Sequence, residues 1–575
     1  MQPCLGFNTV RERASQAMAT TQEIAASAQA AGLKAHKNGD LVTAEKLYRR
    51  CLAFGEAAIP EVFANYGALL RELQKPKEAI SVYRRGIKKY PEHNLLIRNY
   101  GNLLLQEGQP AKALALYLKA EKYLPQNSKP GKLVALQRQQ AQALSELGQP
   151  RLALRILEPM LQKEAEDDIQ LIIGMAQLYL DLGNVDKARS LALPVLDSKE
   201  PNLEQAYQWS NLLLKLEEFD QALETFDKAT VSHRRRASEL DKKTKEQVDS
   251  TCWNFSLMLL RRGLLERGWQ LFEHGRAVPN GRGGMQRTVF KSHPRAKIAE
   301  WNGSQLKNKK LLINGEQGIG DVMMFSMLIP PLSKESEKIG IITYDRLKTL
   351  YERAFPEAQI FDTKNLKDGS IKPEDWDLQV AMGSIPMLRH TRIGDYSNLE
   401  PFLKIDKQQK SQLKQKYYPK SKGDKLIGFS WKGGGNAKQK KTKSLQLEDM
   451  LELFRVPNTK WISLQYGEVN DEIRDFNTQY GLDLITPDDV DPLKDMDRWC
   501  ALVSCCDRVI SAANTTIHGA GCLGIPTTVI LARDPDWRWL GDEDAKCYWY
   551  KSVSIARQKV LGSWEEPIKQ VLNSL

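Results

Sequence analysis

The chain contains no run of about 18 consecutive apolar residues, so a membrane-spanning helix is not expected. Its first residues, M-Q-P-C-L-G-F-N-T-V-R-E-R, have too short an apolar part, and charge arrives too early, for a secretory signal. Cysteine is scarce and scattered: there are 8, no two in C-x-x-C spacing, although Cys505 and Cys506 are adjacent. That argues against a structural zinc site and against a disulfide framework, and it fits a reducing cytoplasm. Zinc-finger spacing, an aromatic RNA-binding signature and a tandem basic helix are all missing. The net charge of +12 therefore has no nucleic-acid motif behind it, and no nucleic-acid partner is expected.

What the chain does have is length and ordinary globular composition. Its 575 residues are 42% hydrophobic and 27% charged, which points to two to four domains with buried cores. The basic excess is clustered at Arg234-Arg235-Arg236, in the lysines between Lys404 and Lys425, and from Lys438 to Lys443. Such clusters are either solvated surface or attractors of phosphate-bearing ligands and acidic acceptors.

The N-terminal half repeats itself. Ala44, Ala79 and Ala113 recur at a spacing of 34 or 35. Each is followed four residues later by Tyr48, Tyr83 or Tyr117, and preceded twelve residues earlier by Gly32, Gly67 or Gly101. This is the tetratricopeptide (TPR) period. Ala153, Ala188, Ala222 and Gly268 mark later, drifting units. Small residues sit where paired helices cross closely, and aromatics fill the gap towards the next unit. The reading is an all-α superhelix of about seven repeats over 30–278, preceded by a tail or first helix over 1–29. Its groove is a candidate site for a protein or peptide.

Beyond about residue 280 the period disappears. A Gly-, Pro-, Arg- and Lys-rich stretch opens a connector over 279–309. Short apolar runs then alternate with helical stretches, at 310–314, 339–343, 359–362, 378–381, 426–431, 461–464, 508–511 and 527–531. Alternation of this kind predicts parallel sheets covered on both faces. A lysine-rich, apolar-poor linker over 406–425 separates an N-lobe, 310–405, from a C-lobe, 426–575. The fold class is thus α plus α/β: a TPR superhelix followed by two Rossmann-like lobes. Ligands in such sheets bind at the carboxyl ends of the strands.

Three segments at predicted strand ends carry candidate chemistry. In L-L-I-N-G-E-Q-G-I-G-D-V a strand run meets a loop holding Gly315, Gly318 and Gly320, and Asp321 closes it before a helix over 322–328 that Pro330-Pro331 would stop. Asp321 is either a catalytic base or a helix cap. Glu316 either orders the loop or faces solvent. The second segment is Lys432-Gly433-Gly434-Gly435-Asn436 and the basic run to Lys443 and Ser444. Its glycines let backbone amides approach a diphosphate, and Lys432 and Lys443 supply countercharge. Lys438, Lys440 and Lys441 are read as solvated. In the third, Asn514, Thr515, Thr516 and His518 open a small-residue helix whose free N–H groups and hydroxyls can hold a pyrophosphate. Asn514 can equally be only an N-cap, and His518 only a packed residue. Trp537 and Trp539 flank Arg538 and offer stacking faces and a phosphate bridge, unless they are buried packing. Asp534-Pro535-Asp536 has a metal-like spacing, but its proline favours a turn. No metal and no cofactor are expected.

The order of the motifs is more specific than any one of them. The repeat array is followed by W-N-G at 301–303, E-Q-G-I-G-D at 316–321, G-F-S-W-K-G at 428–433 and K-S at 443–444. Then come S-L-Q at 463–465, N-T-T-I-H-G-A-G-C-L-G-I-P at 514–526 and P-D-W-R-W at 535–539. This succession resembles bacterial tetratricopeptide proteins carrying a glycosyltransferase family 9-like, heptosyltransferase-like domain. The resemblance implies a GT-B architecture, a nucleotide-sugar donor held mainly by the second lobe, and Asp321 as the candidate base of a metal-independent inverting transfer. The sequence departs from the family at Ala513 and Asn514, where Asp-Thr is common five and four residues before the histidine. That departure keeps an alternative open: a non-catalytic TPR scaffold with a degenerate sugar-nucleotide-binding module.

Overall fold

A computed structural model describes residues 24, 26–53, 59–128, 130–164, 168–198, 201–236, 239–278, 281–282, 298–365, 368–419, 424–434, 440, 442–541, 546–560 and 562–575. Most of the expected tail over 1–29 and of the connector over 279–309 lies outside these residues, as do Gly435, Asn436, Lys438 and Lys441. The chain divides into two compact units, Met1–Ser198 and Lys199–Leu575. The division falls inside the repeat array, so its last helical pairs belong with the α/β region.

The first unit is a succession of antiparallel helices: 26–37, Leu41–Ala53, Pro60–Glu72, Pro76–Lys89, Asn94–Gln106, Pro110–Lys122, Pro130–Glu146, Pro150–Glu164, Ile169–Asp181 and Val185–Ser198. Proline opens many of them because its missing N–H costs nothing in a first turn. The turns inside the helical pairs need one left-handed residue, supplied by Gly39, Gln74, Gly108, Gly148 and Gly183. The period-34 signal has a direct packing cause. A Cβ on Gly32 would lie 2.9 Å from the Tyr48 ring, and one on Gly101 would lie 2.6 Å from the Tyr117 ring. The bare backbone of one helix is thus the seat for the buried tyrosine of its partner. The rings also reach forward: Tyr83 stacks on Tyr100 of the following pair at 5.7 Å, and Tyr100 in turn accepts a hydrogen bond from Arg84.

The second unit opens with the helices Leu203–Lys215, Phe219–Arg235, Lys242–Arg261 and Leu265–Phe272, closed by a 3-10 turn, Glu273–Arg276. Charged residues fill the lengthened end of Phe219–Arg235 and the start of the 20-residue helix Lys242–Arg261.

Two five-stranded sheets follow, each entirely parallel. The first, in order β1-β5-β2-β3-β4, comprises β1 (Ala299–Glu300), β2 (Lys310–Asn314), β3 (Lys338–Ile342), β4 (Gln359–Phe361) and β5 (Leu378–Ala381). The second, in order β10-β9-β8-β6-β7, comprises β6 (Lys425–Ser430), β7 (Thr459–Ser463), β8 (Arg508–Ala512), β9 (Thr527–Leu531) and β10 (Val553–Arg557). These are the two α/β lobes the alternating pattern predicts. One apolar core runs from Leu260, Trp269 and Phe272 through both lobes, reaching Met323, Phe325, Ile517 and Trp549.

Three local expectations are corrected. The helix after the glycine loop spans Ile319–Ser326, and Pro330 and Pro331 open the next helix, Ile329–Glu335, at positions where proline is tolerated. Strands β1 and β10 carry no continuous apolar run, because both are edge strands and β10 is covered only in part. The lysine-rich linker contains the helix Lys407–Tyr417, capped by Asp406 and anchored by buried Leu413. Tyr417 donates to Asp488 at 2.5 Å, so this helix is fastened to the second lobe.

Candidate functional site

In each sheet the chain order reverses once. β2 runs to β3 on one side while β5 lies on the other, and β6 runs to β7 while β8 lies on the other. Loops leaving a strand pair at such a reversal splay apart and leave a crevice. In the first lobe these are the glycine loop 315–318 after β2 and Met382–Ser384 after β5. In the second lobe they are the Lys432 loop after β6 and the Ala513-Asn514 turn after β8.

The two lobes meet across the N-terminal ends of the helices Ile319–Ser326 and Thr515–Leu523. A Cβ on Gly320 would lie 2.8 Å from His518 Cδ2, so glycine is what allows the close approach. Cys522 Sγ donates to the Met323 carbonyl at 3.3 Å on the same seam. Beside this seam opens a cleft of about 380 Å³, lined by Gly318, Gly320 and Asp321 from one lobe and by Gly434, Lys443, Thr515, His518, Arg538 and Trp539 from the other.

Charges alternate along the cleft wall. Asp321 accepts from the Gly318 N–H at 3.2 Å and from Arg538 Nε at 2.6 Å, with Arg538 Nη2 at 2.5 Å from the same oxygen. Arg538 Nη1 lies 3.4 Å from Asp536, whose other oxygen takes Lys443 Nζ at 2.8 Å. Burial disfavours the charge on Arg538, but Asp321 and Asp536 outweigh it and raise its pKa. Burial likewise pushes the Asp536 carboxyl up, while Arg538 and Lys443 pull it well below the usual carboxylate range. Arg538 also stands over the Trp537 ring at 4.4 Å, which fixes its plane.

His518 is buried, shares a hydrogen bond between Nδ1 and the Tyr550 hydroxyl at 2.9 Å, and stacks on Trp539 at 6.2 Å. Burial and then the charge of Arg538 lower its pKa from 6.5 to about 4. A histidine depressed in the folded state contributes stability that is complete above pH 6.5 and is lost as pH falls through about 4. The wild type should therefore lose about 3 kcal/mol more than His518→Asn between pH 7 and pH 4, read from urea unfolding at both values. Parallel pH profiles for the two proteins would show that His518 is solvated and protonates freely.

The sequence candidates divide by where their side chains go. Asp321, Gly318, Gly320, Gly434, Lys443, Asn514, Thr515, His518, Arg538 and Trp539 come together at the cleft. The Lys432 side chain does not; it pairs with Glu472 and lies over Trp431, while its backbone N–H donates to Gln465 at 2.8 Å. Gly433 and Ser444 hold each other, with Gly433 N–H donating to Ser444 Oγ at 2.9 Å. Asn514 caps its helix through Thr516 N–H at 2.8 Å and donates to Ser430 and to the Lys432 carbonyl, so it fastens the two loops of the crevice. Trp537 is buried against Trp269, Phe272 and Phe325, at ring distances of 5.2–6.2 Å, and has no face for a ligand. Asp534 pairs with Arg261 while Asp536 turns to Lys443, so the two carboxylates diverge across the proline. Among the described residues no group of three or more His, Cys, Asp or Glu is placed to hold a metal.

Two members of the site have roles that were not anticipated. Tyr466 lines the cleft directly after the S-L-Q motif, where the end of β7 was the available signal. Asp536 belongs to the cleft as an ion-pair partner, a role its spacing does not reveal. Of the two readings of Glu316, the solvent-facing one does not hold: it is buried outside the cleft lining and pairs with Arg282 at 2.7 Å, a residue in a stretch with no apolar pattern.

The tetratricopeptide repeat family model matches residues 67–128. Protein FlbA of Caulobacter vibrioides is 27% identical over 333 residues, covering 55% of this chain and 53% of that protein, so the chain spans about half the length of this curated relative. Among solved structures, E. coli ADP-heptose lps heptosyltransferase II aligns with 46% of this chain and 98% of its own, at 11% identity and a TM-score of 0.34. The glycosyl transferase family 9 structure from Veillonella parvula aligns with 47% and 97%, at 11% identity and a TM-score of 0.36. The chain thus carries tetratricopeptide repeats.

Proposed function

We propose that the α/β region is a glycosyltransferase module that takes its sugar from a nucleoside-diphosphate donor, and that the repeat array recruits a protein or peptide acceptor or partner. The observation that carries this reading is the cleft itself. It sets the part-buried cations Arg538 and Lys443 and the N–H groups at the start of Thr515–Leu523 across from a carboxylate, Asp321. Oriented cations and a helix N-terminus stabilise the charge that develops on a leaving diphosphate. A carboxylate opposite them can take the proton of an acceptor hydroxyl as the new bond forms on the far face of the sugar. Asp536 and Asp321 occupy the cations in the free protein, and the donor phosphates displace Asp536 from Lys443 on binding. In this reading chain cations, without a divalent metal or other cofactor, supply the countercharge.

The test is calorimetric binding of nucleoside diphosphates and their sugars to the full chain, with and without EDTA. Lys443→Ala should weaken binding by about 1–3 kcal/mol, the worth of a charge-assisted hydrogen bond. EDTA should leave the affinity unchanged. Binding that needs magnesium and ignores Lys443 would place the donor elsewhere. Tight binding with no transfer to any acceptor favours the scaffold reading, in which the fastened Asn514 and the Ala513 departure mark a site kept for binding alone.

A further inference from the structure

We infer that Arg282 is a positioning residue that ties the closing turn of the last repeat to the glycine loop of the cleft and sets that loop's conformation; its link to catalysis rests on the function proposed above.

Arg282 is fully buried, and its fork is spent on three separate parts of the fold. Nε donates to Glu316 at 2.7 Å, in the loop after β2. Nη2 donates to Ser384 Oγ at 2.8 Å, after β5. Nη1 pairs with Glu273 in the turn Glu273–Arg276 that ends the repeats, and the guanidinium lies over Phe272 at 4.9 Å. Ser384 Oγ lies within hydrogen-bonding distance of both Glu273 oxygens, at 2.8 and 2.9 Å, and Gly383 N–H donates to Glu316 at 3.2 Å. The strand-end crevice of the first lobe, where open parallel sheets usually seat a ligand, is therefore filled by the chain's own guanidinium. A ligand is left the ground further along the loop, at Gly318 and Asp321.

The backbone makes the same connection. Gln317 adopts φ +60°, in the left-handed region that a non-glycine residue enters at a cost. Its N–H donates to the Arg282 carbonyl at 3.2 Å, and its carbonyl accepts from the Tyr344 hydroxyl. The next residue, Gly318, donates the N–H that fixes Asp321. The network thus runs from Glu273 through Arg282, Glu316 and Gln317 to the carboxylate at the cleft. Gly383 has the residue type this needs, since a Cβ there would collide with Glu316 and crowd Arg282.

Hydrogen exchange on the full chain reads this without any ligand. Arg282→Met should speed exchange of the amides at 315–320 and 383–384 by about tenfold or more, while the amides of β6 and β8 keep their protection. Glu316→Gln should loosen the same amides. Arg282→Lys should recover the melting temperature but not the loop protection, because an ammonium cannot span Glu316, Ser384 and Glu273 at once. If Arg282→Met folds too poorly to measure, Ser384→Ala removes only the bridging hydroxyl and should loosen the same segments to a smaller degree. Unchanged exchange at 315–320, loosening spread evenly over the second unit, or loop protection restored by lysine together with the melting temperature would each overturn the inference. A loosened loop in a protein that binds no nucleotide would leave this inference standing and remove the proposed function.

Discussion

Arg538→Met is expected to destabilise the second unit by about 3–5 kcal/mol, the usual result of removing one partner from a buried ion pair. The reason lies in what stays behind. Asp321 would keep only the Gly318 N–H, and Asp536 would keep Lys443 and the backbone N–H of residue 538. Asp321 is buried and the Asp536 side chain is only 21% exposed, so the lost countercharge is replaced by hydration only in part. The double variant Arg538→Met, Asp321→Asn removes one of the stranded charges and should recover part of the loss. Urea unfolding of the single and double variants measures both effects. A loss below about 1 kcal/mol for the single variant would mean that the pair behaves as a solvent-exposed one and that the cleft is wet enough to screen it.

The same residue shows what a sequence can and cannot disclose here. The glycine loop, the Lys432 loop and the Asn514 turn were legible because parallel strands buried on both faces read as continuous apolar runs, and the sites of such sheets lie where those runs stop. The repeats were legible because a tyrosine ring seated on a bare backbone demands glycine at the same place in three successive units, at Gly32, Gly67 and Gly101. Side-chain direction was not legible. Lys432 and Lys443 are both lysines of one basic segment, yet one turns to Glu472 and the other to Asp536, and those partners are set by helix and loop placement far along the chain. Trp537 and Trp539 are two residues apart in a motif that suggests a pair of stacking faces. The first is claimed by Trp269 and Phe272 of the last repeat, and only the second reaches the cleft. Arg282 is the extreme case, since its own segment carries no periodicity and its partners lie in three separate parts of the fold.

Asp321→Asn is expected to lower the turnover of sugar transfer by on the order of 10²-fold or more, the worth of a positioned base. In the structure Asp321 is a cap, since it accepts from the Gly318 N–H at the helix start, and its role as base belongs to the function proposed above. One oxygen is taken by Arg538 and the other by the Gly318 N–H, and a carboxylate oxygen with a single donor keeps capacity to accept another proton. Asparagine at this third helical position keeps a carbonyl oxygen that can accept from the Gly318 N–H, so the helix Ile319–Ser326 should keep its start. What it cannot keep is the negative charge, and two consequences can be separated by measuring kcat and nucleotide affinity together. If Asp321 takes the acceptor proton, kcat falls while nucleoside-diphosphate affinity stays within about twofold, because a proton-transfer step is lost and a binding contact is not. If Asp321 only steers Arg538, freeing that guanidinium disorders the phosphate contact, and affinity falls along with kcat. Equal turnover in the asparagine variant would remove Asp321 from the chemistry and leave it as the cap and counter-ion that its hydrogen bonds already make it.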